Sequence, residues 1–183
     1  MSDHSTISFD RDRWLRALEE IAIALGKDGD PVEICLIGSA ACILGGMAGR
    51  SSVDLDVWKP SSRYDTLELK KAVENAGLVF NPVSEIEPDR SYIQIVEPGI
   101  VQVGTFDPVL IERMGRLRIT RPPIENIIAA KLPRCSDKDL EDIAYLRKKY
   151  AIAVESVETV VREFTGSAAE NAKENLIYLH ILQ

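Results

Sequence analysis

The run Val53-Asp54-Leu55-Asp56-Val57-Trp58 constrains this chain more than any other segment. Apolar and polar residues alternate along it, which is the two-residue period of a half-buried strand. Val53, Leu55 and Val57 are expected on one face, and Asp54, Asp56 and Trp58 on the other. Two carboxylates then point the same way, one pleat repeat apart, where like charges repel. A hard divalent cation bridging to phosphate oxygens would neutralise them. A solvated edge strand would tolerate them as well, so the pair alone leaves both readings open.

The residues upstream narrow the choice. Val32-Glu33-Ile34-Cys35-Leu36-Ile37 is short, apolar and partly β-branched, and predicts a mostly buried strand. It delivers the chain to Gly38-Ser39, after which small and apolar residues predict a helix over 39–44, ending near Gly45-Gly46 or Gly49. A strand that runs through a glycine turn into a helix is where backbone N–H groups receive phosphate. Gly38 would let the backbone come close, and Ser39 is expected both to cap the helix and to donate to a phosphate oxygen.

At 183 residues and 45% hydrophobic, the chain is long enough to bury one core and short for two domains. The expectation is a single domain over 1–183, with a core over about 10–120 and a helical part over about 121–183. Helices are predicted over 10–26, from Ser61 or Ser62 to about Ala76, around 110–114, from Arg121-Pro122-Pro123 to Lys131, from Ser136 past Tyr150, and over 154–164 and 168–182. Strands are predicted over 53–58, 92–96 and 100–106, the last two joined as a hairpin through Glu97-Pro98-Gly99. The fold class is therefore α/β in the α+β sense, a mixed sheet flanked by helices with a helical C-terminal extension.

A net charge of −7 argues against non-specific coating of nucleic acid, which rests on Lys and Arg neutralising phosphates. Arg113, Arg116, Arg118 and Arg121 form either a local basic patch or a solvated connection. Cys35, Cys42 and Cys135 have no metal-knuckle spacing and read as small buried hydrophobes. His4 and His180 lie near the termini, which gives histidine catalysis little support. No apolar run has the length of a membrane span and no signal region opens the chain, so a cytoplasmic location and no membrane partner are expected.

Leu36-Ile37-Gly38-Ser39, a helix, and then Arg50-Ser51-Ser52-Val53-Asp54-Leu55-Asp56 resemble the signature of the DNA polymerase β-type nucleotidyltransferase superfamily, most nearly its minimal AbiEii-like branch. Members of that branch are often components of toxin–antitoxin and phage-defence loci. Downstream, Lys131, Arg134 and the helix opening Asp137-Lys138-Asp139-Leu140-Glu141-Asp142 look like the branch's lysine and Arg-Asp-x-x-Asp motif. The resemblance implies that Asp54 and Asp56 hold Mg²⁺ or Mn²⁺, and that Gly38, Ser39, Arg50 and Lys131 contact a nucleoside triphosphate, with Asp139 or Asp142 ordering the site. Asp139 also suits the third helical position of a capping box, and Lys131 the last turn of a helix. Active relatives often carry a third carboxylate on a later strand, for which Asp107 is the candidate; an Asp-Pro turn is the plainer reading of that residue.

The activity implied is magnesium-dependent transfer of a nucleoside monophosphate from a triphosphate such as ATP to a hydroxyl acceptor. Relatives modify RNA, proteins or small molecules. The alternative is a non-catalytic nucleotidyltransferase fold that binds a cognate antitoxin or another partner protein.

Overall fold

The computed structural model describes residues 8–82 and 90–181; His4 and Leu182 lie outside them. The elements in order are α1 (Arg11–Leu25), β1 (Val32–Cys35), α2 (Ala40–Leu44), β2 (Asp54–Trp58), a 3₁₀ turn (Lys59–Ser61), α3 (Thr66–Asn75), β3 (Val79–Phe80), β4 (Tyr92–Val96), β5 (Val109–Met114) and β6 (Leu117–Arg121). Then follow α4 (Ile124–Lys131), α5 (Asp137–Tyr150), α6 (Val154–Val161), α7 (Gly166–Asn175) and α8 (Ile177–Ile181). This is an α+β fold. The chain divides into two compact units, Met1–Glu97 with Leu110–Arg121, and Pro98–Val109 with Pro122–Gln183.

In the first unit, α1 forms as its sequence predicts. The Asp10 carboxylate accepts the Arg13 amide at 3.0 Å, and Gly26 leaves the helix at φ +72°. Its stripe of Trp14, Leu18, Ile21 and Leu25 is buried, together with β1, the inner face of β2 and Leu69, Ala72 and Val73 of α3. β1 pairs with β6 in parallel, Ile34 opposite Ile119, and β5 lies beyond β6. β2 pairs with β4 in parallel, Asp54 opposite Tyr92 and Asp56 opposite Gln94, and β3 flanks β4. An antiparallel bridge of Leu36 with Val57, and a bond from the Ile37 amide to the Asp56 carbonyl at 2.9 Å, join the end of β1 to β2.

Several expectations are corrected here. The helix after the 3₁₀ turn starts at Thr66, because the Ser62 hydroxyl is engaged with the Trp58 carbonyl at 2.7 Å and the Cys35 amide at 2.9 Å. Asp65 caps it instead, accepting the Glu68 amide at 2.8 Å. No helix spans 110–114. Val109–Met114 is β5, turned through Gly115-Arg116 into β6, a strand that the basic spacing concealed. Of the arginines there, Arg116 and Arg118 are engaged, while Arg113 is exposed: Arg116 bonds the Leu25 and Asp30 carbonyls and pairs with Glu68 at 2.9 Å, and Arg118 pairs with Glu33 at 2.7 Å. Cys35 and Cys42 are buried as expected, but Cys135 is only partly buried.

The second unit packs α4 to α8 around Ile124, Ile127, Ile128, Ile143, Leu146, Val157, Val161 and Leu179. The expected strand over 100–106, and with it the hairpin to β4, does not form. Side chains take its backbone groups instead: Asn126 donates to the Val103 carbonyl at 2.8 Å and to the Thr105 carbonyl at 3.3 Å, and Glu163 accepts the Thr105 amide at 2.7 Å. The Gln102 side chain in turn exchanges two bonds with the Thr165 backbone at 2.8 and 2.9 Å. Gly104 lies so close to α6 that an added Cβ would meet Val160 at 2.7 Å. The residues expected as one last helix form α7 and α8 instead, with Leu176 between them at the end of α7.

Candidate functional site

The polar face of β2 holds the two aspartates, with Leu55 and Val57 turned into the core. Asp54 is gripped on both oxygens. The Ser52 hydroxyl donates to Oδ1 at 2.5 Å, and the Tyr92 hydroxyl, from the register partner on β4, donates to Oδ2 at 3.2 Å. Ser52 is itself fixed, since its backbone exchanges bonds with Phe9 at 2.8 and 3.1 Å. Burial, then the charge and hydrogen bond of Asp54 and the charge of Asp56, push the Tyr92 phenol up to about 12. It therefore stays a donor across the physiological range.

Asp56 meets the glycine turn. Gly38 sits at φ +67°, and a Cβ built there would lie 2.7 Å from Asp56 Oδ2, so the absent side chain makes room for the carboxylate. The two halves of the sequence pattern thus meet at Gly38 and Asp56. Ser39 stands at the first position before α2, and its carbonyl accepts the Cys42 and Ile43 amides at 3.0 Å. Its hydroxyl makes no capping bond, contrary to expectation, because its backbone is already helical at φ −82°, ψ −9°. Arg50 lies on the wall of a cavity of about 530 Å³ with Arg11, Arg13, Met47 and Ser51.

The remaining expected residues lie in the second unit. Asp107 is exposed, outside any helix or strand. Lys131, Asp139 and Asp142 come together: the buried ammonium donates to Asp142 at 2.7 Å and to Asp139 at 3.4 Å. Asp139 also takes two bonds from Arg134 at 2.7 Å and closes the capping box with Ser136. Burial drives the Asp139 carboxyl up, but the Arg134 and Ser136 hydrogen bonds and the Lys131 and Arg134 charges outweigh it and hold it well below the usual carboxylate range. In this structure the cluster ties α4 to α5.

Ser52, Tyr92 and Gln94 are site residues that the sequence reading missed. The available signal was the parallel alternation in the expected strand over 92–96, whose Tyr92 and Gln94 must share a face. Which face was set by the register with β2.

The donor set of the first unit fits a divalent cation. Asp54 and Asp56 offer hard oxygens on one face, and an ion of the Mg²⁺ type needs only one or two protein carboxylates, with waters and phosphate oxygens supplying the rest. Among the described residues, no three of His, Cys, Asp and Glu gather where they could hold an ion. Among those residues, too, no helix is long and apolar enough to cross a membrane.

Residues 13–180 match the model of a family described as a nucleotidyltransferase of unknown function (DUF6036), and the chain belongs to that family. No curated protein and no solved structure matches it.

Proposed function

We propose that the chain is a metal-dependent nucleotidyltransferase that moves a nucleoside monophosphate from a triphosphate to a hydroxyl acceptor. The observation that carries this reading is the meeting of Asp56 with Gly38, a contact that requires glycine. It sets two carboxylates beside a turn whose backbone can approach phosphate oxygens. Membership in a nucleotidyltransferase family supports the same reading.

In this reading Asp54 and Asp56 hold Mg²⁺ or Mn²⁺, which when bound neutralises charge on the triphosphate. Ser52 and Tyr92 hold the Asp54 carboxylate in one orientation, and the Ser39 hydroxyl, which has no bond to any described residue, contacts a phosphate oxygen. The acceptor oxygen attacks the α-phosphorus, the bond to the β-phosphate breaks, pyrophosphate leaves, and the acceptor proton passes to solvent. The chain's contribution is positioning and electrostatics, which dominate such transfers. Asp54→Ala and Asp56→Ala should each lower metal-dependent nucleotide transfer by about a hundredfold or more with the fold retained. Unchanged transfer in either variant, with folding checked by circular dichroism, overturns the assignment.

A second reading, a non-catalytic partner-binding component of a toxin–antitoxin-like pair of the AbiEii type, is favoured by α8, which exposes Ile177 and Ile181 at 56% and 66%. Calorimetry with Mg²⁺ and each triphosphate separates the two: binding supports the transferase, and silence with all four supports the partner module.

A further inference from the structure

We infer that Gln94 limits this site to a single divalent cation, an inference that rests on the metal-dependent reading above. The sheet register sets Gln94 beside Asp56, and the two-residue period puts Tyr92, Gln94, Asp54 and Asp56 on one face. Gln94 is thus the side chain on β4 from which a further metal ligand would reach the pair, and it is neutral.

The orientation of its amide follows from the backbone. The Ile95 amide donates to Asn81 Oδ1 at 3.0 Å, which fixes that atom as the acceptor. Gln94 approaches the same oxygen at 2.8 Å and must therefore present Nε2 to it. Asn81 is held in turn, with its backbone N–H donating to the Ile93 carbonyl at 2.7 Å and φ +44°. Gln94 Oε1 is left with no donor among the described residues, so a neutral acceptor is built into the face at this point.

Charge and ligand number then decide the count of ions. Sites for two divalent ions about 3.5–4 Å apart need carboxylates that both ions share. Here Asp54 already takes a hydroxyl on each oxygen, and Asp56 is pressed against the Gly38 turn. The two carboxylates balance one divalent charge. A second ion would find at Gln94 an amide oxygen, a weaker ligand than the shared carboxylate that two-ion sites use.

The test is Mn²⁺ stoichiometry of the full chain, by electron paramagnetic resonance with a non-hydrolysable triphosphate present. The wild type should bind a single ion, and Gln94→Glu and Gln94→Asp should each admit a second. Two ions in the wild type overturn the inference, as does a single ion in both folded variants. No ion in the wild type overturns the metal-dependent reading itself, and the inference with it.

Discussion

An alanine at position 38 would meet two obstacles at once. Its backbone would have to hold φ +67°, and its Cβ would fall 2.7 Å from a carboxylate oxygen of Asp56. A strained backbone of this kind costs about 1–3 kcal/mol, and relieving the clash displaces one of the two aspartates. Gly38→Ala should therefore lower stability by about that amount in urea unfolding and abolish Mg²⁺-dependent triphosphate binding in calorimetry. Tyr92 makes a different prediction. Its phenol is raised from 10.0 to about 12, so the folded chain holds that proton more tightly than the unfolded chain. The stabilisation is complete below pH 10 and is lost as pH rises through about 12. Tyr92→Phe should flatten the alkaline unfolding profile in that window, followed by circular dichroism as a function of pH.

At the scale of elements, the α4–α5 junction is held by charge in a dry place. Lys131 is 5% exposed, Asp139 1% and Asp142 0%. Removing one partner of a buried ionic cluster costs about 3–5 kcal/mol, because the others keep their charge without compensation. Lys131→Met should lose about that much in denaturant unfolding followed by circular dichroism. Asp139 has a depressed folded pKa, so its contribution is present above its ordinary value near 3.8 and declines as pH falls below it. The capping box here and the Asp10 cap of α1 were legible because the residues that define them lie within one turn. The same holds for the face of β2, a property of alternation alone. β5 and β6 were not legible: their arginines read as polar surface, and what makes them strands is pairing, of β6 with β1 some 85 residues earlier and of β5 with β6. Residues 100–106 fail in the opposite sense. They have strand composition, but Asn126 and Glu163 satisfy the backbone where a ladder would have done so. Tyr92 and Gln94 entered the site for the same reason, since a register cannot be counted from one strand.

The molecule as a whole carries a net charge of −7. A protein that binds RNA through many phosphate contacts loses affinity by about 10³–10⁵ between roughly 50 and 200 mM salt. For this chain, any RNA acceptor should show a change of less than about tenfold over that range in filter binding, since few counterions are released. A steep loss would show that basic side chains gather into a strong local field. The chain also carries its own optical gauge. Both tryptophans, Trp14 and Trp58, belong to the first of the two compact units. Trp14 is sealed in the core, whereas Trp58 stands on the β2 face that holds Asp54 and Asp56. Intrinsic emission therefore watches the neighbourhood of the carboxylates without any added dye, and Trp58→Phe would leave Trp14 as a silent internal reference against which each titration of metal or nucleotide is read.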